Sequence, residues 1–305
     1  MKKIKLITYL LIASFVLTFG NMTLAQDEEE KKSKPRPQRK AFESAVLLEN
    51  QTDVINASKT LEWNIQHRFG TVRNGLSDLY GVFAPSNIRL GFSYSILDRL
   101  NIGFGLSKIA VTNPFIDLNI KGKILQQGRD GGSPFNLTFY GNMVIDTRNE
   151  ENFATQLHRY SYFSQLILSR RFSKKFSLQL APQWSHFNAV DSLFSNDVFG
   201  LHIGARFKVS SQGSIIFDWT EPFTEHDVNN ATEPYQRDVG PYRNVSFGYE
   251  VATSAHAFQF FFSVYGDILP QYNLTYNTNE FIKEVDGENK VSFRVGFNMT
   301  RLWGF

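Results

Sequence analysis

Residues 88–96 read Ile-Arg-Leu-Gly-Phe-Ser-Tyr-Ser-Ile, with a large apolar side chain at every second position. Successive side chains of a β-strand point to opposite faces of its sheet, so this alternation gives one apolar face and one polar face. A helix would instead repeat its apolar positions about every 3.6 residues, and this stretch does not. It therefore predicts an amphipathic strand.

The same alternation recurs along the chain on both sides of this strand. Several of the runs have the length of about 9–11 residues that a tilted strand needs to cross a bilayer. Twelve segments are predicted as strands: residues 60–69, 88–96, 100–108, 114–124, 134–145, 160–172, 176–186, 198–208, 214–220, 244–252, 257–265 and 290–303. We interpret them as one all-β domain, a single antiparallel transmembrane β-barrel of roughly 12 strands. A soluble β-sandwich is the alternative.

The connections between these segments alternate in length. Those after even-numbered segments are mostly short, such as residues 97–99, and those after odd-numbered segments are mostly long, such as residues 146–159. Outer-membrane barrels have short periplasmic turns and long external loops, so this layout predicts localisation to the cell outer membrane. Two connections depart from it, because residues 109–113 are short and residues 125–133 are long.

The amino terminus has the pattern of a secretory signal peptide. Three lysines precede an apolar stretch of about 14 residues, and small residues stand before a cleavage point at Gln26. Residues 26–40 contain no apolar side chain that could bury surface and order them. The predicted organisation is a signal peptide at residues 1–25, a flexible periplasmic leader at residues 26–58 and the barrel at residues 59–305.

Composition narrows the function classes. The 305 residues include no cysteine, which removes disulfides, thiolate metal sites and thiol nucleophiles. A mean hydropathy of −0.26 argues against a polytopic helical membrane protein, and 15% aromatic residues argue against a disordered chain. Without the three lysines of the signal peptide, 29 basic residues face 29 acidic ones, so nucleic acid is not an expected partner.

Aromatic residues mark both predicted rims of the barrel. The four tryptophans occupy the apolar parity of their strands, two near the periplasmic rim and two near the external rim: Trp63, Trp303, Trp184 and Trp219. Amphipathic rings prefer the headgroup level, so they predict an aromatic girdle in contact with outer-membrane lipids. The last strand closes on Phe305, which resembles the signal recognised by the bacterial barrel-assembly machinery, an expected partner.

The polar parity of the strands is predicted to face the lumen. Its basic residues are Arg68, Arg89, Lys121, Lys123, Arg171, Arg206, Lys208 and Arg294, and its acidic residues are Glu62, Asp117, Asp218 and Glu250. An excess of bases in a narrow lumen favours anions, which predicts a porin-like channel with a mild preference for small anionic solutes. Small residues such as Ser93, Ser95, Gly103 and Gly105 leave room for a passage. The alternative is a structural or surface-binding barrel whose lumen is plugged by its own side chains and whose external loops engage a ligand or partner.

Two loops and one histidine are further candidates. Residues 70–87 are expected to fold inward as a constriction. The acidic residues of 221–243 suggest a Ca²⁺ or surface-ligand loop, but no known calcium spacing is present, so a solvated external loop is favoured. His67 lies on the apolar parity, where an outer-membrane lipase would place a catalytic histidine, but an interfacial histidine near the external rim is the favoured explanation. No metal, cofactor or nucleophile motif is present, so we predict no enzyme, cofactor or metal site.

Several short motifs resemble a known family. They are His67-Arg68-Phe69-Gly70 near the first strand, Ile88-Arg89-Leu90-Gly91, Asp98-Arg99-Leu100 and residues 121–126. Together with Phe305 they resemble a family of uncharacterised outer-membrane β-barrels of Gram-negative bacteria. The resemblance covers most of the mature chain and implies its architecture and location. It implies no substrate and no catalytic residue.

Overall fold

The computed structural model of the protein describes residues 35–109, 114–224, 240–285 and 288–305. The strands in these ranges are β1 Val46–Leu47, β2 Asn50–Gln51, β3 Thr60–Thr71, β4 Asn87–Leu97, β5 Leu100–Lys108, β6 Phe115–Leu125, β7 Asn136–Asp146, β8 Tyr160–Arg171, β9 Phe176–Phe187, β10 Asp197–Lys208, β11 Gly213–Pro222, β12 Asn244–Ala252, β13 His256–Ser263, β14 Ile282–Val285, β15 Glu288–Val291 and β16 Arg294–Gly304. One α-helix, α1, spans Pro270–Tyr276, and short 3₁₀ helices span Val72–Asp78, Glu150–Asn152 and Gln156–Arg159. None of the described helices is both long enough and apolar enough to cross a membrane.

Twelve of the described strands, β3 to β13 and β16, form a closed antiparallel barrel. Each strand pairs with its neighbours in the sequence, and β16 pairs with β3 to close the ring, with Trp303 opposite Leu61. The twelve predicted segments all lie on these strands, so the predicted all-β barrel is confirmed. Closure leaves no strand edge unpaired, which is the condition for a sheet to exist in lipid.

The outer surface of the barrel is apolar because one parity of every strand points outward. On β4 and β5, for example, Leu90 pairs with Leu106 and Phe92 with Phe104, and most of these side chains are exposed at the surface of the chain. The opposite parity is polar and buried, as Gln66 and Asn64 are on β3. A surface of this kind is stable only against acyl chains, so the barrel spans a lipid membrane.

The two ends of the barrel differ. At one end, here the short-turn end, β4 joins β5, β8 joins β9, β10 joins β11 and β12 joins β13 through two to four residues. The long-loop end carries the longer connections after β3, β7, β9, β11 and β13. The connection of residues 126–135 is long although it lies at the short-turn end. It bonds to the amino-terminal segment, since Gln38 N donates to Gln127 O at 2.8 Å and Arg129 N donates to Arg36 O at 2.8 Å.

The described amino-terminal segment enters the lumen from the short-turn end and turns back. Val46 pairs with Gln51 and Leu47 with Asn50, so residues 41–56 form a narrow antiparallel hairpin, which we call the inserted hairpin. Its turn passes through Leu48, whose φ of 55° is left-handed. Phe42, Leu47 and Leu48 are fully buried against the wall.

This hairpin corrects the prediction of a flexible leader at residues 26–58. The absence of apolar residues holds only as far as residue 40, whereas residues 41–56 contain eight apolar side chains. Those side chains bury enough surface to order the segment inside the barrel. The predicted signal peptide and the leader up to residue 34 lie outside the described residues.

A second segment enters the lumen from the long-loop end. Residues 264–281, here the inserted loop, follow β13 and carry helix α1 inward, where Leu274 is 1% exposed. Residues 70–87 do not form the predicted constriction, because Leu76 and Phe83 in that loop are 78% and 79% exposed. The inserted loop buries its apolar residues Ile268, Leu269 and Leu274. Residues 70–87 fold on themselves instead of entering the lumen, because the backbone N–H of Gly70 donates to Gly81 O.

Candidate functional site

The charged residues of the wall converge on the lumen. Eight of the twelve are buried inside the barrel: Glu62, Arg68, Arg89, Asp117, Lys121, Arg206, Asp218 and Glu250. Glu62, Asp117 and Asp218 come from β3, β6 and β11, so the acids are distributed around the ring. The remaining four, Lys123, Arg171, Lys208 and Arg294, lie towards the ends of the barrel and are partly exposed.

The inserted hairpin neutralises most of the basic excess of this wall. Its three carboxylates each meet a wall base, and residues 41–56 contain no base of their own. Glu49 pairs with Arg68 at 2.8 Å, Asp53 with Lys123 at 3.4 Å and Glu43 with Arg206 at 3.3 Å. Eight wall bases against four wall acids leave an excess of four, and the hairpin reduces it to one.

The Arg206 contact is shared with the wall. Arg206 Nε donates to Glu250 Oε1 at 2.9 Å, and the Nη2 atom faces Glu43 of the hairpin. Arg206 therefore keeps a wall partner when the hairpin is absent, whereas Arg68 has no other carboxylate within ion-pair distance among the described residues.

The ion pair between Arg89 and Asp117 of the wall fills the space that neighbouring small residues leave. Arg89 donates from Nε and Nη2 to the two carboxylate oxygens of Asp117, each at 2.8 Å. The guanidinium lies against Gly91 and Gly105, where any added Cβ would overlap it. The room predicted beside Gly105 is therefore occupied by this pair.

Two small cavities lie between the wall and the two inserts. One cavity of about 30 Å³ touches Ser93, Asn101 and Lys121, and another of about 10 Å³ lies between the hairpin tip and Leu269 of the inserted loop. A water molecule needs roughly 10–15 Å³ of such volume, so these cavities accommodate isolated waters rather than a stream of solute. In the described part of the chain, the inserted hairpin enters the lumen from the short-turn end and the inserted loop enters it from the long-loop end.

The short-turn mouth is more open. A cleft of about 470 Å³ there is lined by Arg39, Lys40, Arg171 and Lys208, with Glu43 at its inner edge. Arg171 donates to Lys40 O at 2.9 Å, which ties the entering chain to β8. The mouth through which the hairpin enters is thus basic.

The aromatic residues lie on the outward parity at both ends. Trp63 and Trp303 stack at a centroid distance of 6.3 Å near the short-turn end. At the long-loop end, Trp184 Nε1 donates to Asp197 at 2.8 Å and Trp219 Nε1 donates to Glu221 at 3.1 Å. Phe305 is exposed, and its backbone N–H donates to Lys59 O at 3.0 Å.

The other candidates are not assembled into a site. The His67 ring stacks on Phe69 at 4.2 Å on the outer face, and none of its described hydrogen bonds involves a serine. Within the described ranges, no three histidine, aspartate or glutamate residues lie close enough together to hold a metal ion. Most of the acidic loop, including Glu225, His226 and Asp227, lies outside the described residues.

Neither insert is predicted from the sequence, although the sequence contains a signal for both. Some residues on the inward parity are apolar, which a water-filled lumen does not require: Tyr140, Phe163, Ile167, Ala181, Val198, Ile216 and Phe261. Ile216 and Phe261 pack on the inserted hairpin, and the other five pack around Leu274 of the inserted loop. Apolar residues at inward-facing positions of the strands therefore indicate where other segments of the same chain fill the lumen.

Comparison with known protein families agrees with this architecture. The chain matches the family described as "Membrane bound beta barrel domain (DUF5777)" over residues 42–303. Among solved structures, the NanC porin is similar with 8% identity and a TM-score of 0.48, covering 80% of this chain and 99% of that one. The KdgM porin has 7% identity and a TM-score of 0.46, with coverage of 79% and 98%. An outer membrane channel from Pseudomonas putida F1 has 13% identity and a TM-score of 0.46, with coverage of 82% and 97%. No curated protein matches the sequence.

Proposed function

We propose that this chain, which belongs to the family of membrane-bound β-barrel domains, is a narrow outer-membrane channel for small anions. Its own inserted hairpin holds the channel closed. The supporting observation is that the hairpin carries three carboxylates and no base, and that each carboxylate contacts a basic residue of the wall. The hairpin thus occupies the positions that anions would take. When it leaves, the wall keeps an excess of four bases, carried by Lys123, Arg171, Lys208 and Arg294 towards the ends of the barrel, which favours the entry of anions over cations.

The proposal assigns a transport role rather than catalysis. Its expected partners are small anionic solutes, outer-membrane lipids on the apolar outer face and the barrel-assembly machinery at the C-terminal strand. The basic mouth formed by Arg39, Lys40, Arg171 and Lys208 supports it, because a positive potential there raises the local concentration of anions.

Conductance in a planar bilayer tests the proposal. The processed chain is compared with a triple variant, Glu43→Gln, Glu49→Gln and Asp53→Asn, in which the hairpin has lost its three ion pairs. We expect rare openings of the unmodified chain, frequent openings of the variant, and a reversal potential in a salt gradient on the anion side of zero. A matched control neutralises three exposed acids, Glu150→Gln, Glu151→Gln and Asp130→Asn, and should behave as the unmodified chain.

A plugged scaffold is the second candidate function, and the packing of both inserts favours it. In that case the external loops bind a ligand or partner, and the strongly exposed Leu76 and Phe83 are available for contact. A triple variant whose hairpin becomes accessible to protease but which passes no current would establish the scaffold. A cation-selective reversal potential would overturn the anion channel.

A further inference from the structure

The wall holds the inserted hairpin through its backbone as well as through its charges. Six side chains from six different strands donate hydrogen bonds to carbonyl oxygens of the entering segment: Arg171 to Lys40, Lys121 to Ala45, Gln259 to Val46, Asn298 and Arg68 to Leu48, and Gln179 to Gln51. Their donor–acceptor distances lie between 2.8 and 3.1 Å. Contacts of this kind do not depend on the sequence of the bound chain.

Gln259 acts as the edge of a strand would. Its Nε2 donates to Val46 O at 2.9 Å, and its Oε1 accepts from Leu48 N at 3.1 Å. Asn298 Nδ2 donates both to Leu48 O at 2.8 Å and to Gln259 Oε1 at 2.9 Å, which fixes the orientation of the Gln259 amide. One buried amide therefore satisfies a donor and an acceptor of the hairpin backbone, as a neighbouring strand does when a peptide adds to a sheet.

A small inorganic anion would use only part of this surface. It would pair with Arg68, Lys123 or Arg206, but it offers nothing to the amides of Gln179, Gln259 and Asn298. It would also leave the apolar wall residues Ile216 and Phe261 without the contacts that Phe42, Leu47 and Leu48 now make. Buried amides without partners cost about 1–3 kcal/mol each, so the wall is complementary to a chain rather than to an ion.

We infer that the lumen is a binding site for an acidic peptide hairpin entering from the short-turn end, and that residues 41–56 are its intramolecular occupant. The backbone donors select a peptide chain, Arg68, Lys123 and Arg206 select its acidic side chains, and Ile216 and Phe261 select apolar residues between them. The inference rests on the proposed release of the hairpin and names the class of solute that competes with it.

An exchange experiment on the full chain tests this site. A protease site is inserted between Ala57 and Ser58, which are both exposed and follow the hairpin directly. After cleavage of the folded protein in detergent, the hairpin is held without a covalent link. A fluorescent synthetic peptide of residues 41–56 is then added, and its binding is followed by polarisation. We expect saturable exchange, competed by unlabelled peptide.

Three comparisons make the outcome specific. A peptide with Glu43, Glu49 and Asp53 changed to Gln, Gln and Asn should bind at least about tenfold more weakly, and so should a peptide methylated at the Leu48 backbone nitrogen, which cannot donate to Gln259. Gln259→Ala in the protein should weaken binding of the unmodified peptide, whereas Gln212→Ala, at an exposed turn, should not. The methylated peptide gives a reading even if Gln259→Ala does not fold.

Two results would overturn the inference. If no labelled peptide enters the cleaved protein within a day, the hairpin is a permanent part of the barrel. If citrate displaces the hairpin and the methylated peptide binds as well as the unmodified one, the lumen is an anion site without backbone recognition. The second result leaves the anion channel standing, and only the bilayer measurement bears on that.

Discussion

The carboxylate of Glu49, at the tip of the inserted hairpin, receives two hydrogen bonds from the guanidinium of Arg68 in the first barrel strand. Arg68 Nε lies 2.8 Å from Oε1 and Nη2 lies 2.9 Å from Oε2, and both side chains are essentially unexposed. Arg68 also donates to Asn298 Oδ1 at 2.9 Å, and its guanidinium lies 4.7 Å from the centre of the Phe261 ring. Two ions buried this deeply depend on each other, because each would otherwise be a charge without a counter-ion.

Removal of one member of this pair should destabilise the barrel strongly. Arg68→Gln leaves Glu49 buried without its cation, and we expect a loss of about 3–5 kcal/mol in the free energy of unfolding in detergent. The double variant with Glu49→Gln should recover part of that loss, because neither charge then remains. Arg99→Gln removes an exposed arginine from a short turn and serves as the control. Equal stability of Arg68→Gln and Arg99→Gln would contradict the prediction.

Docking of the inserted loop should depend on Leu274. This side chain packs among Tyr140, Phe163 and Ile167, so Leu274→Ala removes buried contacts worth about 2–5 kcal/mol. We expect hydrogen exchange of residues 270–276 to accelerate while exchange in the strands stays the same. Leu76→Ala changes an exposed leucine of another external loop and should leave residues 270–276 protected. Unchanged protection in Leu274→Ala would mean that the loop is held by its polar contacts alone.

Two glycine substitutions should separate crowding from backbone effects. A Cβ at Gly105 would overlap Asp117 and Arg89, whereas a Cβ at Gly122 has no neighbour within 4 Å. Gly105→Ala should therefore lower the stability of the barrel by about 1–3 kcal/mol, and Gly122→Ala should leave it nearly unchanged. Thermal unfolding in the same detergent measures both. A Gly105→Ala protein as stable as Gly122→Ala would show that the Arg89–Asp117 pair moves aside without cost.

The inserted loop should undock as the pH rises. Burial raises the pKa of the Asp267 carboxyl, an effect that Arg294 opposes and Glu49 reinforces. The docked loop therefore holds the proton more tightly than the undocked loop, so this contribution to docking is complete below about pH 4 and is lost as the pH rises through the raised pKa. Hydrogen exchange of residues 264–276, corrected for the intrinsic pH dependence, should show it. Asp267→Asn should remove this dependence of docking on pH. Stronger docking of the loop at higher pH would contradict its assignment to the Asp267 carboxyl.

The barrel could be predicted from the sequence because lipid imposes one simple rule on every strand. Ile88 to Ile96 alternate without exception, and a period of two has no helical equivalent. Strand β8 was the least clear segment, since Phe163 and Ile167 share the polar parity. The structure explains both residues as contacts of Leu274, which lies more than 100 residues away in the sequence.

The contents of the lumen could not be predicted in the same way. Residues 41–56 have neither a long apolar run nor a strong alternation, and their order comes from the wall that surrounds them. Acids such as Glu49 and Asp53 have the composition of a solvated linker until Arg68 and Lys123 are brought beside them. Pairings between distant segments of this kind leave no local period in the sequence.

The inserted hairpin also spans the only place where the ring is joined without chain continuity, the pairing of β16 with β3. Asn56 donates to Glu62 of β3 at 2.7 Å, and Ser44 shares a hydrogen bond with Thr300 of β16 at 3.1 Å. Leu48 O accepts from Arg68 and from Asn298, one on each side of the join. The inserted hairpin therefore also links β3 and β16, the two strands whose pairing closes the barrel. The inserted hairpin precedes β3 in the chain, so it is synthesised before the two strands that it joins. It is therefore already present when β3 and β16 pair and close the barrel.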